Sequence, residues 1–342
     1  MTSRDFLNPV PDLDGKSILI TGGTGSFGKS FVKTVLARYK PRRIVVFSRD
    51  ELKQYEMNLE ISDQEYPCLR YFIGDVRDQP RLEMAMSDID YVVHAAALKH
   101  VPIAEYNPFE CVQTNIIGAE NVVRAAINKN VKRIVALSTD KAANPINLYG
   151  ASKLASDKIF IAANNIAGSS GLRLSVVRYG NVMGSRGSVL PFFRKLVADG
   201  ADFIPITHPD MTRFWITLEQ GINMVLSSFE MMKGGEIFVP KIPSMKVTDL
   251  ASAIAPGLPH KIVGIRPGEK LHEVMVTGDD ARMTVDLGDR YAILPTYRFW
   301  AGDEPLYPDA TKVAEDFAYS SDINDVWLDE AGFNEVVAKA GI

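Results

Sequence analysis

Three consecutive features near the start of the chain constrain its fold most. An apolar run, Ser17–Thr21, is followed by Gly22, Gly25 and Gly28 and then by an apolar-periodic segment that continues to Tyr39. This order predicts a strand, a tight turn and a helix. Glycines at this spacing let a pyrophosphate approach the backbone amides at the start of the helix. Because they lie between a strand and a helix, they favour dinucleotide binding over a purely structural loop.

Further apolar runs follow, and helical patterns alternate with them. The runs span residues 43–47, 70–73, 91–94, 133–137 and 172–178. This alternation predicts an α/β fold with a Rossmann-type, doubly wound parallel sheet. A helix at residues 218–232 leads to a strand at residues 236–240, which could return to the same sheet.

The composition excludes several classes of protein. The formal net charge of −4 and the pI near 5.8 do not fit a nucleic-acid-binding surface. The first 16 residues contain no apolar signal core, and no apolar run approaches the roughly 20 residues that span a bilayer. Two cysteines, Cys68 and Cys111, cannot form a disulfide framework and fit a reducing compartment. We therefore expect a soluble, cytoplasmic protein with no nucleic-acid partner and no membrane insertion.

The polar residues after the second apolar run bear on which dinucleotide binds. NAD-specific sites usually place an acid at this strand end, where it holds the ribose 2′-hydroxyl. Here Ser48 and Arg49 come first, and Lys53 follows. A guanidinium fork suits a 2′-phosphate and therefore NADP. The alternative is that Arg49 lies in solvent and that Asp50 or Glu51 takes the place of the acid.

The turns after the third and fourth runs supply further candidate contacts. Asp75 and Val76 could hold and cover an adenine ring, although an acid is also ordinary at a turn. Ala95 belongs to a group of small residues that lets the backbone pass close to a cofactor. Lys99 could reach a phosphate or a sugar, whereas a structural role fits His100 better than a chemical one.

The histidines do not predict a metal site. The five histidines show no metal-ligand spacing, and His272 with Glu273 lacks the second histidine of a zinc-binding helix. No G-x-S-x-G nucleophile motif is present either. We expect no bound metal.

The segment from residue 138 to residue 153 carries the groups best suited to proton transfer. Tyr149 and Lys153 lie four positions apart, so on a helix the ammonium can approach the phenol and favour its phenolate form. Thr139, Asp140 and Lys141 lie just upstream, where the fifth run ends. A tyrosine and a lysine at this spacing also occur on ordinary solvated helices, so the pair alone identifies no activity.

Together these motifs resemble those of the extended short-chain dehydrogenases/reductases. More narrowly, they are similar to those of the inverting UDP-N-acetylglucosamine 4,6-dehydratases of pseudaminic acid biosynthesis. The resemblance covers nearly the whole chain. Its specific parts are T-G-G-T-G-S-F-G-K, F-S-R-D-E-L-K-Q, H-A-A-A-L-K-H-V-P, S-T-D-K-A-A-N-P-I-N-L-Y-G-A-S-K and R-P-G-E-K-L-H-E.

The resemblance implies binding positions for NADP and for UDP-N-acetylglucosamine. The residues expected to bind NADP are Gly22, Thr24, Gly25, Ser26, Phe27, Gly28, Ser48, Arg49, Asp50, Glu51, Leu52, Lys53, Asp75, Val76, Ala95, Lys99, Tyr149 and Lys153. The residues expected to bind the UDP-sugar are Lys99, Asn181, Thr207, Arg266 and Glu269. Arg266 would meet the diphosphate and Glu269 the ribose hydroxyls, unless residues 266–268 form a solvated turn.

The resemblance also implies catalytic roles. Tyr149, assisted by Lys153, would take the proton of the C4 hydroxyl while a hydride leaves C4. The resulting ketone acidifies the C5 hydrogen, so Lys141 would remove that proton, Asp140 would protonate the departing C6 hydroxyl, and Thr139 would bond near O4. Hydride returns to C6, and protonation of C5 from the opposite face inverts that centre. Lys141 needs desolvation or a neighbouring cation to be neutral.

Alternatives to this reading stay open. One is a C5-retaining dehydratase or an epimerase that acts on a UDP-sugar, and another is an NADP-binding protein without turnover.

We expect the NADP-binding domain in residues 1–180 with about 215–240, and a smaller, mixed UDP-sugar-binding domain in 181–214 with 241–342. The resemblance further implies a homo-oligomer, such as a hexamer.

Overall fold

A computed structural model describes residues 4–185, 188–302 and 304–341, so the first three residues of the N-terminal segment lie outside it. Its strands in chain order are β1 (Ser17–Thr21), β2 (Arg43–Ser48), β3 (Leu69–Ile73), β4 (Tyr91–His94), β5 (Arg133–Thr139), β6 (Arg173–Tyr179), β7 (Asn181–Val182), β8 (Ile204–Ile206), β9 (Thr212–Ile216), β10 (Ile237–Pro240), β11 (Ser244–Lys246), β12 (His260–Ile262), β13 (Val274–Val276), β14 (Thr284–Asp286), β15 (Arg290–Ile293), β16 (Thr311–Lys312) and β17 (Tyr319–Ser320). Its α-helices are α1 (Ser26–Arg38), α2 (Glu51–Glu60), α3 (Gln79–Ala85), α4 (Val101–Tyr106), α5 (Pro108–Val112), α6 (Gly118–Asn128), α7 (Leu148–Ala167), α8 (Val189–Ala198), α9 (Leu218–Met231), α10 (Val247–Ile254) and α11 (Glu330–Lys339).

The main sheet confirms the predicted α/β architecture. Within the described residues it contains ten strands, in the order β16-β14-β15-β10-β6-β5-β4-β1-β2-β3. The seven strands from β10 to β3 pair in parallel, whereas β15, β14 and β16 are antiparallel additions at one edge. The predicted strand near residue 237 does return to this sheet, beside β6. The strand order reverses at β1, which places a ligand crevice at the carboxyl ends of β1 and β4.

The buried strands explain why the apolar runs are continuous. All five residues of β1 are buried, and β2 and β6 are buried along nearly their whole length. Helices cover both faces of a parallel sheet, so side chains that point either way meet apolar neighbours. The pairing aligns the strand ends: Thr21 lies opposite His94 in β4, and Thr139 lies opposite Tyr179 in β6. The polar residues that follow these strands therefore meet along one edge.

A second, smaller apolar core lies apart from the core of the main sheet. It contains Phe193 of α8, Trp215 of β9 and Phe333 of α11, and small sheets β7-β9-β11 and β8-β12 belong to the same region. The chain therefore carries a smaller unit of mixed structure, as expected. Strands β14 to β16 extend the main sheet although they fall in the range 241–342, so the exact division into two domains stays a prediction. Among the described helices, none combines the length and apolarity that crossing a bilayer requires.

The glycine turn between β1 and α1 is closely packed. Gly22 has a φ of 65°, and a Cβ there would lie 2.9 Å from the backbone of Ala96. A Cβ at Gly28, inside α1, would lie 2.3 Å from the backbone oxygen of Gly23. These distances are shorter than van der Waals contact. Glycine at position 22 thus lets the turn approach the chain after β4, and glycine at position 28 lets α1 approach the turn.

We expect Gly28→Ala to lower the melting temperature, because the added methyl overlaps the backbone of Gly23 and overpacking typically costs about 1–3 kcal/mol. Gly221→Ala in α9 is the matched control, since apart from its chain neighbours and the nearby backbone of its own helix no described atom lies within 4 Å of its Cβ position. Alanine is favoured over glycine in a helix by about 1 kcal/mol, so this control should melt at the same or a higher temperature. Equal melting of Gly28→Ala and the unaltered protein would contradict the close packing.

Candidate functional site

The start of α7 packs directly on the turn that follows β5. Asn147 caps α7, and its side chain accepts a hydrogen bond from the backbone N–H of Gly150 at 2.7 Å. A Cβ at Gly150 would lie 2.3 Å from the backbone oxygen of Lys141. Glycine at this position thus brings the first turn of α7, which carries Tyr149, against the turn that carries Lys141.

Buried charges surround Lys141. Its Nζ lies 3.0 Å from Oδ1 of Asp140 and 3.2 Å from Oε1 of Glu273, and the two carboxylate side chains are only 1% and 2% exposed. Arg213 approaches the same Glu273 oxygen with its Nε at 3.7 Å. Thr139 donates from its hydroxyl to Oδ1 of Asp140 at 2.9 Å. We call Asp140, Lys141, Arg213 and Glu273 the charge cluster.

Burial and mutual attraction set the protonation of this cluster. Burial, helped by the charge of Glu273, raises the pKa of Asp140. Burial also acts to lower the pKa of Lys141, but Asp140 and Glu273 outweigh it and the pKa is raised. Burial opposes the ionisation of Glu273, yet Lys141 and Arg213 hold its pKa below the usual value. Lys141 is therefore a cation in this arrangement, and its neutral form requires that the cluster change.

Tyr149 and Lys153 lie in the same helix but make different contacts. Burial raises the pKa of the Tyr149 phenol to about 12, and the cation that opposes this rise is Lys141. Lys153 donates from Nζ to the backbone oxygen of Leu137 at 2.7 Å, so its ammonium is anchored to β5. Burial lowers the pKa of Lys153, with Asp157 opposing this change. The helical spacing predicted Lys153 as the cation that favours phenolate, whereas in the structure Lys141 exerts that effect.

A buried polar network supports α7 from behind. Asp157 accepts hydrogen bonds from Ser138 at 2.8 Å and from Nη2 of Arg178 at 3.3 Å. Arg178 also donates to the backbone oxygen of Met275 at 3.0 Å. Sequence reasoning missed both charged residues, although Asp157 lies one helical turn after Lys153, and that spacing was the available signal.

The glycine turn fits a dinucleotide phosphate. Gly25 caps α1, and within the described part of the chain no side chain bonds to the first amides of this helix. Thr24 is buried at the turn, Ser26 begins α1, and Phe27 packs partly buried against the core. Uncapped amides at a helix N-terminus favour an anion. The residues present therefore fit the pyrophosphate of a nicotinamide dinucleotide.

The turn after β2 contains both residues, Arg49 and Asp50, that could contact the ribose 2′-position of a dinucleotide. Asp50 caps α2 by accepting from the N–H of Lys53 at 3.0 Å, and it also pairs with Nζ of Lys53 at 2.8 Å. The hydrogen bond from the Lys53 side chain is the main cause that lowers the pKa of Asp50. Arg49 is 51% exposed, and its Nη1 lies 3.6 Å from Oδ2 of Asp75. The carboxylate of Asp50 is thus engaged by its own helix.

The remaining predicted cofactor residues lie along the same edge of the sheet. Ser48 ends β2, and Glu51 and Leu52 are exposed in the first turn of α2. Val76 is buried, and the backbone N–H of Ala95 donates to the hydroxyl of Thr21 at 3.2 Å.

The loop that carries Lys99 is tied to α7. Asn115, in a π-helical turn at Gln113–Ile117, accepts from the N–H of Leu98 at 2.8 Å and donates to its carbonyl at 2.9 Å. The same amide donates to the hydroxyl of Ser152 at 2.9 Å. Burial lowers the pKa of Lys99. The loop is therefore anchored next to the helix of Tyr149.

The predicted substrate residues lie in the smaller unit. Thr207 and Arg266 follow β8 and β12, which pair in parallel, so both residues lie toward the same end of this small sheet. Arg266 and Glu269 form an ion pair with each other. Asn181 lies in β7 opposite Trp215 of β9. Their assignment to UDP binding stays a prediction.

The segment that contains Arg266 contacts the central turn directly. Asn147 donates from its side chain to the backbone oxygen of Gly268 at 2.8 Å, and Lys270 donates to the backbone oxygen of Ala143 at 2.5 Å. The segment then leads to Glu273, which enters the charge cluster. Glu273 is the last residue of the R-P-G-E-K-L-H-E motif, and the sequence alone indicated no role for it.

The chain belongs to the family described as polysaccharide biosynthesis protein, whose model matches residues 18–295. It is similar to the inverting UDP-N-acetylglucosamine 4,6-dehydratase of Campylobacter jejuni subsp. jejuni serotype O:2, at 59% identity over 94% of this chain and 97% of that relative. It is also 44% identical to a UDP-glucose 4-epimerase of Rickettsia canadensis, over 81% of this chain and 82% of the relative.

Solved structures show the same fold. Pen from Bacillus thuringiensis matches with a TM-score of 0.87 and 36% identity, over 96% of this chain and 99% of that chain. DesIV from Streptomyces venezuelae, a dTDP-glucose 4,6-dehydratase with NAD and TYD bound, matches with a TM-score of 0.68 and 25% identity, over 83% and 93% of the two chains. These similarities confirm the resemblance inferred from the motifs and support a nicotinamide cofactor.

We expect Asp157→Asn to lower the free energy of unfolding by about 3 kcal/mol, because it leaves the buried guanidinium of Arg178 without its buried counter-charge. Urea denaturation measures this change. Ser138→Ala is the control: it removes one hydrogen bond to the same carboxylate and should cost about 1 kcal/mol. A smaller loss for Asp157→Asn than for Ser138→Ala would contradict the role of the ion pair.

Proposed function

We propose that this protein is a UDP-N-acetylglucosamine 4,6-dehydratase that inverts C5. Its product would be UDP-2-acetamido-2,6-dideoxy-β-L-arabino-hex-4-ulose. The observation that carries the proposal is the buried Asp140–Lys141 pair packed against the helix turn of Tyr149. An acid, an amine and a phenol in one site match the proton transfers at O6, C5 and O4 of this reaction. The identity to the Campylobacter dehydratase supports the same conclusion.

The side chains divide the reaction into oxidation and elimination. Tyr149 accepts the proton of the C4 hydroxyl, and loss of a hydride from C4 then leaves a ketone that acidifies the hydrogen on C5. When bound, the nicotinamide would accept hydride from C4 and return it to C6. Lys141 removes the C5 proton, and Asp140 protonates the C6 hydroxyl, which departs as water. Burial raises the pKa of Asp140, which favours transfer of the Lys141 proton to Asp140 and so gives an amine base and a carboxylic acid.

Lys141 must lose its proton before it can act as the base. The carboxylates of Asp140 and Glu273 hold it as a cation, so binding of the sugar has to weaken these contacts or move the proton to one of them. Thr139, which now donates to Asp140, can instead bond near O4 of the sugar. Protonation of C5 from the opposite face then gives the inverted centre.

A UDP-sugar 4-epimerase is the second candidate, because the Rickettsia relatives carry that activity in their names. An epimerase oxidises and reduces C4 alone and needs no acid at C6 and no base at C5. The buried Asp140–Lys141 pair therefore favours dehydration. A C5-retaining dehydratase would use the same pair and differs in the face from which C5 is protonated.

We infer NADP as the cofactor. Asp50 is engaged by Lys53 at the start of α2, whereas the guanidinium of Arg49 is half-exposed beside Asp75. This arrangement supports a 2′-phosphate contact more than an acid that binds a 2′-hydroxyl. Lys153 would then hold the nicotinamide ribose.

We also propose which residues contact the substrate and in which pathway the enzyme acts. Arg266 would bind the diphosphate of UDP-N-acetylglucosamine and Glu269 its ribose, with Asn181 and Thr207 beside the sugar nucleotide and Lys99 between sugar and cofactor. The motif resemblance supports a cytoplasmic homo-oligomer that catalyses the first step of pseudaminic acid biosynthesis.

Incubation with UDP-N-acetylglucosamine in deuterated water tests the reaction. We expect a 4-keto-6-deoxy product that carries deuterium at C5 and has the L-arabino configuration, because the C5 proton is removed and replaced from solvent. Proton NMR of the product measures both features.

Lys141→Ala is the matched control for this experiment. It should still bind UDP but form no 4-keto-6-deoxy product and incorporate no deuterium at C5, because the base that removes the C5 proton is missing. An unchanged C5 configuration in the product would contradict inversion, and the absence of both product and deuterium would refute the proposed function.

We expect Arg49→Ala to weaken the binding of NADP by about tenfold or more and to leave the binding of NAD unchanged, because a charged hydrogen bond to the 2′-phosphate is lost. Calorimetric titration with the two dinucleotides measures the difference. Arg124→Ala is a suitable control, since this exposed arginine of α6 pairs with Glu120. An equal loss for NAD and NADP would argue against the 2′-phosphate contact.

A further inference from the structure

Glu273 reaches the charge cluster from a distant part of the sequence. It precedes β13, whereas Asp140 and Lys141 follow β5. Its Oε1 lies 3.2 Å from Nζ of Lys141 and 3.7 Å from Nε of Arg213, and its Oε2 lies 4.0 Å from Nζ of Lys270. Oε2 has no hydrogen-bond partner among the described residues. A buried carboxylate thus faces three cations.

The backbone of Glu273 is fixed independently of its carboxylate. Its N–H donates to the hydroxyl of Ser321 at 2.9 Å, and the N–H of Ser321 donates to the carbonyl of Glu273 at 2.8 Å. The backbone position of Glu273 is therefore held by Ser321 without its carboxylate. Since burying a carboxylate is costly, its placement here requires compensation, and the contact with Lys141 supplies it.

The geometry points to a positioning role. A lysine side chain is a flexible four-carbon stem, so a single partner leaves its ammonium free to rotate. Asp140 is the neighbour of Lys141 in sequence and holds Nζ from one direction, while Glu273 holds it from another part of the chain. We propose that Glu273 is a positioning residue that holds Lys141 Nζ where it removes the C5 proton. This inference rests on the dehydratase function proposed above.

The position of Glu273 also connects substrate binding with this step. The residues proposed to hold UDP, Arg266 and Glu269, belong to the same segment, which is bonded to the central turn through Asn147 and Lys270. The same segment therefore carries both the proposed nucleotide contacts and the carboxylate that contacts Lys141. The segment that recognises the nucleotide thus sets the geometry of the base.

The charge of Glu273 affects how the activity of Lys141 as a base depends on pH. The titratable and charged groups that act on Lys141 and its partners are Asp140, Tyr149, Arg213, Lys270 and Glu273. Of these, Asp140 and Glu273 attract the Lys141 ammonium and favour its charged form. Replacement of Glu273 by glutamine removes its part of this attraction, so the pKa of Lys141 falls and the neutral amine forms at lower pH.

The test compares Glu273→Gln with the unaltered protein in two measurements. The first is the kinetic isotope effect with substrate deuterated at C5 and with substrate deuterated at C4. The second is the pH dependence of solvent deuterium incorporation at C5. We expect the maximal rate to fall at least tenfold, the C5 isotope effect to rise relative to the C4 effect, and the pH profile to move to lower pH. Affinity for UDP, measured by calorimetry, should change less than twofold.

Glu236→Gln is the matched control. Glu236 is also a fully buried glutamate, but its carboxylate accepts from Ser175 and from the backbone N–H of Gly234. This variant should lose thermal stability and keep both the isotope effects and the pH profile. The same shifts in Glu236→Gln would overturn the proposal, because they would reflect a buried charge in general.

The remaining outcomes separate this inference from the function on which it rests. Isotope effects and a pH profile in Glu273→Gln that both match the unaltered protein overturn the positioning role, whatever the turnover. If Glu273→Gln does not fold, Glu273→Asp, which keeps the charge on a shorter stem, is judged by its isotope effects alone. Failure of the unaltered protein to form the 4-keto sugar would instead refute the function, and the inference with it.

Discussion

The parallel pairing of β1, β4, β5 and β6 is the constraint on which the site depends. Register within this sheet places Thr21, His94 and Thr139 at the ends of neighbouring strands. The chain continues from these strand ends into the glycine turn, the loop of Lys99 and the turn of Lys141. These three segments therefore lie along one edge of the sheet. A slip of one residue in any pair would exchange the side chains that pack against the two helix layers, so the apolar core fixes the positions of the polar groups.

Burial also makes the protonation state of a titratable side chain depend on the few charged groups next to it. His94, in the centre of the sheet, is neutral because burial, with the charge of Lys153, lowers its pKa to about 3. In the charge cluster the same burial is opposed by carboxylates that keep Lys141 charged. The difference between these two outcomes lies in a few contacts of about 3 Å, such as that between Lys141 and Glu273.

Much of the fold and part of the site can be predicted from the sequence. The strands near residues 17, 43 and 91 begin at the predicted positions, because continuous apolar runs between turns have few alternatives. The contact between Lys141 and Glu273 could not be predicted, since the two residues are far apart in sequence and nothing local links them. Likewise, helical spacing brought Lys153 near Tyr149 but could not reveal that its ammonium bonds to Leu137.

Asn115 illustrates how folding can prepare a site for a ligand. Its amide holds both backbone groups of Leu98 and the hydroxyl of Ser152, which fixes the loop before Lys99 against α7. Ordering one residue of a free loop costs about 1–2 kcal/mol of conformational entropy. Here that entropy is lost when the chain folds, so a ligand that contacts Lys99 need not order the loop. Less of the free energy of binding is then spent on ordering the protein, and more of it contributes to affinity for the ligand.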